Sequence, residues 1–210
     1  MKPPNFSPQQ QEQQWIHDAK NGRQEAFEAL IHLYEKRVFA LTLRLCGNPE
    51  DAQEAAQEAF LAVWQGLPQF RGDASFSTWL YRLTRNACID LLRREQRRVS
   101  AAGPSLDDED SGIDVAAASE GPQEAAERAE LRQAIEDGLR TLPEGYRTAL
   151  ILREIHQLSY QEIAQALDTD LGTVKSRISR GRKLLRKFLV ETGNFSDAPP
   201  SKQTEKEGCK

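Results

Sequence analysis

Apolar residues in this chain recur at intervals of three and four, run after run, and almost nowhere alternate with polar ones. Phe27, Leu30, Ile31, Tyr34, Val38, Leu41 and Leu45 fall on one face of a single long helix. Before it, residues 11–20 predict a short helix that Asn21 and Gly22 end. Gly47-Asn48-Pro49 closes the long helix, and alanine-rich residues 51–67 predict the next, with Ala55, Phe60, Leu61 and Trp64 as apolar positions. A turn at Arg71-Gly72-Asp73 leads into a helix capped by Ser75 or Asp73, whose buried stripe is Phe76, Leu80, Leu83, Ala87 and Leu91. Further on, Pro122 opens a helix carrying Ala126, Leu131, Ile135 and Leu139, stopped at Leu142-Pro143; Tyr146, Leu150, Ile151 and Ile155 mark another. No run reads as strand, so the pattern predicts an all-α fold.

The last periodic stretch, LSYQEIAQALDTDLGTVKSRISRGRKLLRK over 158–187, is two helices around a tight polar turn. Ile163, Ala164 and Leu167 give the first an apolar face; Asp168-Thr169-Asp170 interrupts it and supplies a cap for a helix beginning near Leu171. Val174, Ile178, Leu184, Leu185 and Phe188 are expected to point inward on the second. Lys175, Arg177, Arg180, Arg182, Lys183, Arg186 and Lys187 occupy its other faces, with no acid among them. Such a helix repels itself in water and is relieved by a polyanion alongside. The small residues Gly172, Ser176 and Ser179 leave room near its start for approach to base edges in a major groove. The stretch reads as a helix-turn-helix that binds DNA.

Between the helical runs, residues 99–121 lose large apolar side chains and become dense in acids, the composition of a disordered tether. The 210-residue chain therefore divides into two small helical domains joined by a flexible linker. The expected limits are a flexible leader at 1–10, a first domain at 11–98, the acidic linker at 99–121, a second domain at 122–190 and a disordered tail at 191–210. The net charge of -4 hides this segregation, because acids cluster between Asp107 and Glu130 while bases cluster at 93–98 and 175–187. An acidic tether between two basic units is expected to screen them from DNA.

Composition also narrows the chemistry. Cys46, Cys88 and Cys209 lack C-x-x-C spacing, and His17, His32 and His156 lack metal-ligand spacing, so no metal site or cofactor is expected. No apolar run is long enough for a membrane span, which points to a cytoplasmic chain without direct membrane insertion. No nucleophile-base spacing or phosphate loop suggests an enzyme. Between Phe70 and Arg98, Trp79 and Tyr81 interleave with Arg82, Arg85 and Asn86. Rings that stack on bases beside cations that neutralise phosphates suit an unpaired strand, although the same rings also suit ordinary core.

Two stretches now say more. DAQEAAQEAFLAVWQGLPQFRGDASFSTWLYRLTRNACIDLLRR closely resembles the second conserved region of sigma-70 family sigma factors of the extracytoplasmic-function (ECF) group. LPEGYRTALILREIHQLSYQEIAQALDTDLGTVKSRISRGRKLLR resembles the fourth region of that group, and the two resemblances span about residues 20–98 and 125–188. The resemblance implies a factor that binds core RNA polymerase, directs it to promoter DNA and has no active site of its own. It assigns Asp51, Glu54, Gln57, Glu58, Phe60 and Trp64 to docking on the clamp helices of the largest polymerase subunit. It assigns Trp79, Tyr81, Arg82, Arg85 and Asn86 to the -10 element and strand opening, with Asn86 holding an extruded base. Thr173, Lys175, Ser176, Ser179 and Arg180 would face the -35 element, flanked by Arg177, Arg182 and Lys183; Lys175 replaces a frequent Arg. It further implies an anti-sigma factor as partner. The competing reading is a stand-alone regulator with a LuxR-like helix-turn-helix, which would call for a receiver domain of alternating strands that the first half does not predict.

Overall fold

The computed structural model describes residues 7–102 and 122–193. Eight α-helices are found among them: α1 Pro8–Lys20, α2 Gln24–Cys46, α3 Pro49–Gly66, α4 Phe76–Ala102, α5 Pro122–Thr141, α6 Glu144–Leu150, α7 Tyr160–Ala166 and α8 Leu171–Glu191. A 3₁₀ turn at Leu67–Gln69 follows α3, and a π-helical turn at Ile151–Ile155 follows α6. The described residues contain no strand, in keeping with the period of the sequence. The acidic stretch around Asp107–Asp110 and the tail with Cys209 lie outside the described residues.

Helix α1 starts earlier than the prolines suggest. Pro8 occupies the first turn of α1, where its missing N–H has no intrahelical acceptor to lose. Ser7 accepts the Gln10 N–H at 3.3 Å while Gln10 accepts the Ser7 N–H at 3.0 Å, so the helix starts within the expected leader. At the other end α4 runs on to Ala102, into the expected linker.

The first four helices pack around Leu30, Tyr34, Val38, Val63, Leu67, Phe76 and Leu80. The Tyr34 hydroxyl donates to Glu12 Oε1 at 2.7 Å, and Lys20 Nζ donates to the Phe70 carbonyl at 2.7 Å, which ties α1 to the loop before α4. Gly47, with φ of 89°, ends α2 in the left-handed conformation a side chain would resist. Asn48 then caps α3 by accepting the Asp51 N–H at 2.8 Å.

The second core is shared between the halves. Leu41, Leu45, Tyr81, Cys88 and Leu91 of the first half form one buried cluster with Leu139, Leu142, Ile151, Leu152, Leu158 and Ile163 of the second. Helix α4 lies against α7, and α2 lies against α5 and α6. The two units are thus packed on one another, which the sequence reading of independent bodies on a tether did not foresee.

The π turn explains one misplaced residue. His156 N–H donates to the Ile151 carbonyl five residues back, so the turn is one residue wider and Ile155 leaves the apolar face. Ile155 is 41% exposed where a four-residue repeat from Ile151 would bury it. Leu184, expected inward, is likewise exposed, whereas Val174 and Ile178 are buried. Gly181 takes the position facing α6: a Cβ there would meet Leu150 Cδ1 at 2.9 Å and Cγ at 3.1 Å. Gly181→Val is expected to lower stability by about 1–3 kcal/mol, since overpacking outweighs the few tenths gained in helix propensity. Thermal unfolding followed by circular dichroism checks this, and an unchanged midpoint would mean the α6–α8 contact adjusts freely.

Candidate nucleic-acid interface

The α7–α8 pair is a helix-turn-helix held by its caps. Ser159 accepts the Glu162 N–H at 3.2 Å, and Glu162 reaches back to the Ser159 N–H at 2.8 Å. Asp168 takes a φ of 47° in the turn, a conformation Asp tolerates better than most residues. Asp170 starts α8 by accepting the Thr173 N–H at 2.8 Å, and its carboxyl also accepts the Thr173 hydroxyl. These hydrogen bonds from Thr173 hold the Asp170 carboxyl below the usual carboxylate range.

Spacing and exposure sort the eight residues expected on α8. Lys175, Ser176, Ser179 and Arg180 are exposed, and the intervals of three to five between the pair at 175 and 176 and the pair at 179 and 180 put them on adjoining rows of one helix face. Thr173 is half-buried with its hydroxyl committed to Asp170, and Arg177 is half-buried beside Gly145 of α6. Arg182 is exposed but paired with Glu154, with Nε at 3.0 Å and the terminal nitrogen at 2.6 Å from one carboxylate oxygen. That partner raises the Arg182 pKa further and turns its head toward the π turn. Lys183 is exposed on the flank.

On α4 the five expected residues separate. Arg82 and Asn86 are exposed four residues apart, on one face. Trp79 is half-buried and stacks on Phe70 at 4.9 Å with an interplanar angle of 29°. Arg85 is half-buried and donates to Glu144 of α6 at 3.3 Å. Tyr81 is only 2% exposed, its ring 4.7 Å from that of His156. Burial raises the Tyr81 pKa and lowers that of His156 to about 4, so both rings are neutral at pH 7. Tyr81 therefore does not join Arg82 and Asn86 on the open face. A cleft of about 510 Å³ opens beside Arg82, walled by Phe70, Arg71, Asp73, Thr78 and Trp79 on one side and by Gln165 and Asp168 of the helix-turn-helix on the other.

The acidic helix α3 offers a third surface. Glu54 and Gln57 are exposed, and Glu58 is half-buried with its carboxylate 2.8 Å from Arg94 of α4, which also lies 3.5 Å from Glu54. Asp51 is drawn into the cap, accepting from Asn48 Nδ2 at 2.8 Å. Phe60 packs against the first core, but Leu61 is 59% and Trp64 39% exposed, the latter with its ring 4.8 Å from Phe27. Phe60, Leu61 and Trp64 are the apolar anchors that the family resemblance offers to a partner, and Leu61 and Trp64 are the exposed ones. The pairing of Arg94 with Glu54 and Glu58 was not foreseen.

These surfaces define a helical protein with a helix-turn-helix and a second, cleft-flanked cationic helix. Residues 30–98 match sigma-70 region 2, and residues 132–185 match sigma-70 region 4. The chain is 36% identical over 183 residues to the RNA polymerase sigma-H factor of Pseudomonas aeruginosa, covering 86% of this chain and 95% of that one. It is 35% identical over 181 residues to the ECF RNA polymerase sigma factor SigW of Bacillus subtilis, covering 83% and 94%. Among solved structures, it resembles the sigma factor RpoE of Bartonella quintana in complex with the anti-sigma factor NepR, at a TM-score of 0.65 and 23% identity, over 78% of this chain and 96% of that one. It also resembles CnrH in complex with the cytosolic domain of CnrY, at a TM-score of 0.62 and 24% identity, over 86% and 98%. The chain belongs to the sigma-70 family of RNA polymerase sigma factors, in the ECF group.

Proposed function

We propose that this chain binds core RNA polymerase and carries it to promoters whose -35 element is read by α8 and whose -10 element is captured by α4. The observation that carries the reading is the succession of a region 2 match and a region 4 match along one chain. A LuxR-like regulator would share only the second, and the first half contains α1–α4 in place of a receiver domain. The work done is binding work: bases trapped as single strand stabilise an opening that arises within the polymerase complex. The first unit spans 11–98 and the second 122–190 in this reading, and the factor acts in the cytoplasm. An anti-sigma factor restrains it, as NepR accompanies the sigma factor RpoE in the co-crystal structure that this chain resembles.

On α8 the base-reading set is Lys175, Ser176, Ser179 and Arg180, with Arg177, Lys183 and the Glu154-held Arg182 serving the phosphates. Thr173 positions the helix start through Asp170. On α4, Asn86 offers an amide to a base edge and Arg82 a cation to its phosphate. The deciding experiment is in vitro transcription with purified core polymerase: promoter-specific transcripts that depend on this chain support the reading, and unaided operator binding without any polymerase association overturns it. Within that assay Arg180→Ala is expected to cost about 1–3 kcal/mol on the cognate -35 sequence relative to scrambled DNA. Equal weakening on both sequences would make Arg180 a phosphate contact.

A further inference from the structure

Helix α1 precedes the residues that match sigma-70 region 2, yet its last residue holds one wall of the cleft beside α4. Lys20 is half-buried, and its Nζ donates to the Phe70 carbonyl at 2.7 Å from fifty residues away. That carbonyl stands where the 3₁₀ turn Leu67–Gln69 ends, and the Phe70 N–H already donates to the Leu67 carbonyl at 3.1 Å. A cation suits a carbonyl at the end of such a turn, because the local dipole is negative there. The Phe70 ring carries the tie onward. It stacks on Trp79 at 4.9 Å, 29° from parallel, and meets Phe76 edge-on at 6.0 Å. Trp79 also lies against Gly66, where a Cβ would come within 3.1 Å of the indole Cζ2. With Gly66 and Phe70 both against it, the indole keeps its place only while Phe70 keeps its own. Phe70, Arg71, Trp79 and Arg82 line the cleft, so this succession of contacts runs from α1 to the cleft wall.

The first core does not need this bond. Leu67 and Phe76, which flank the loop, are buried by their own apolar contacts, whereas Arg71, Gly72 and Asp73 between them are exposed. Lys20 therefore fixes the part of the loop that burial leaves loose. Its own position is fixed in turn. Glu12 of α1 accepts the Tyr34 hydroxyl at 2.7 Å, Asp18 pairs with Arg23 at 3.0 Å, and Gly22, with φ of 84°, turns the chain into α2. A lysine at the end of so anchored a helix delivers its head group to one point.

We infer that Lys20 is a positioning residue for strand capture: by holding the Phe70 carbonyl it keeps the Phe70–Trp79 pair, and with it the cleft wall beside Arg82, in the arrangement that receives the -10 strand. Helix α1 thereby belongs to the unit that reads that strand. The use of the cleft rests on the proposed sigma-factor reading, whereas the tie between α1 and the cleft wall does not. Lys20 touches no base in this account; it acts through Phe70 and Trp79.

Two measurements on the full chain test it. Labelled with 5-fluorotryptophan, the free chain gives fluorine resonances from Trp15, Trp64 and Trp79; assembled with core polymerase, it is titrated with a single-stranded -10 oligonucleotide. Lys20→Met keeps the apolar stem and removes the donor, while Lys20→Arg keeps a donor of similar reach. In Lys20→Met the Trp79 resonance should move while that of Trp64 stays. Strand affinity should fall about tenfold, the size of one lost hydrogen bond to a charged group, with affinity for core polymerase as in the wild type. Lys20→Arg should return both the resonance and the affinity toward wild type. An unmoved Trp79 resonance in Lys20→Met, an undiminished strand affinity, or a Lys20→Arg chain as weak as Lys20→Met overturns the inference. Should all three resonances collapse together, the variant has unfolded; Lys20→Gln, whose amide stops one bond short of the ammonium, then takes its place, and an unmoved Trp79 there overturns the inference. A wild-type complex that binds no strand would sink the sigma-factor reading, and the Trp79 shift alone would then decide whether Lys20 holds the wall.

Discussion

Core RNA polymerase will bind a Leu61→Glu, Trp64→Glu chain at least about a hundredfold more weakly than the wild type, a loss of the size that central apolar anchors carry in protein interfaces. The expectation follows from where the chain leaves apolar surface uncovered. Ala52, Ala55, Ala59 and Val63 bury the inner face of α3 almost completely, so the fold needs nothing from Leu61. Yet Leu61 is 59% exposed, and Trp64 presents one edge to solvent beside Phe27. Glu54 and Gln57 border this patch with polar groups suited to a cationic partner. Glutamate at 61 and 64 replaces the anchors with charges that a desolvated interface would have to bury. Because Leu61 supports no core, helicity and the unfolding midpoint should change little for Leu61→Glu alone. Competition against a fluorescent sigma factor for purified core polymerase measures the effect, and undiminished binding would move the docking surface off α3.

How much of this was legible beforehand depended on whether a feature was local. The helices, their caps at Ser75 and Asp170, and the helix-turn-helix were readable because each is written within a few residues of itself. Trp79 and Tyr81 defeated the same reasoning. Both are aromatic residues on a partly basic helix, and only tertiary structure separates the one stacked on Phe70 at the cleft from the one sealed under His156. Thr173 and Arg182 were legible as α8 residues but not as ones already engaged by Asp170 and Glu154. Ile155 was misplaced because a π turn changes the period for one turn only, and a repeat of three and four cannot register that. The packing of one half on the other had no sequence signal at all: its apolar members, such as Leu41 and Leu158, also satisfy the pattern of two separate cores.

Acidification should part the seam between the halves. His156 is buried there with Arg44 and Arg37 of α2 and Tyr81 of α4 around it; burial first, and then the two arginines, lower its pKa from 6.5 to about 4. An added proton is therefore accepted more readily once His156 is released to solvent, and the open form binds more protons wherever the pH lies between the two values. The contribution of neutral His156 to closure is complete above its ordinary pKa and is lost as the pH falls toward about 4. With those end points the opening equilibrium shifts toward the open form by about tenfold at pH 5.5 and on the order of a hundredfold at pH 4. Hydroxyl-radical footprinting of Tyr81 from pH 7.5 to 5.5 reads this directly, with Tyr34, buried within the first half against Phe76, reporting whether that half stays folded. His156→Gln keeps a polar side chain of similar reach but cannot titrate, so its Tyr81 labelling should be flat across the same range. A His156→Gln chain that opens with acid as the wild type does would transfer the response to other groups and leave His156 as a packing residue of the seam.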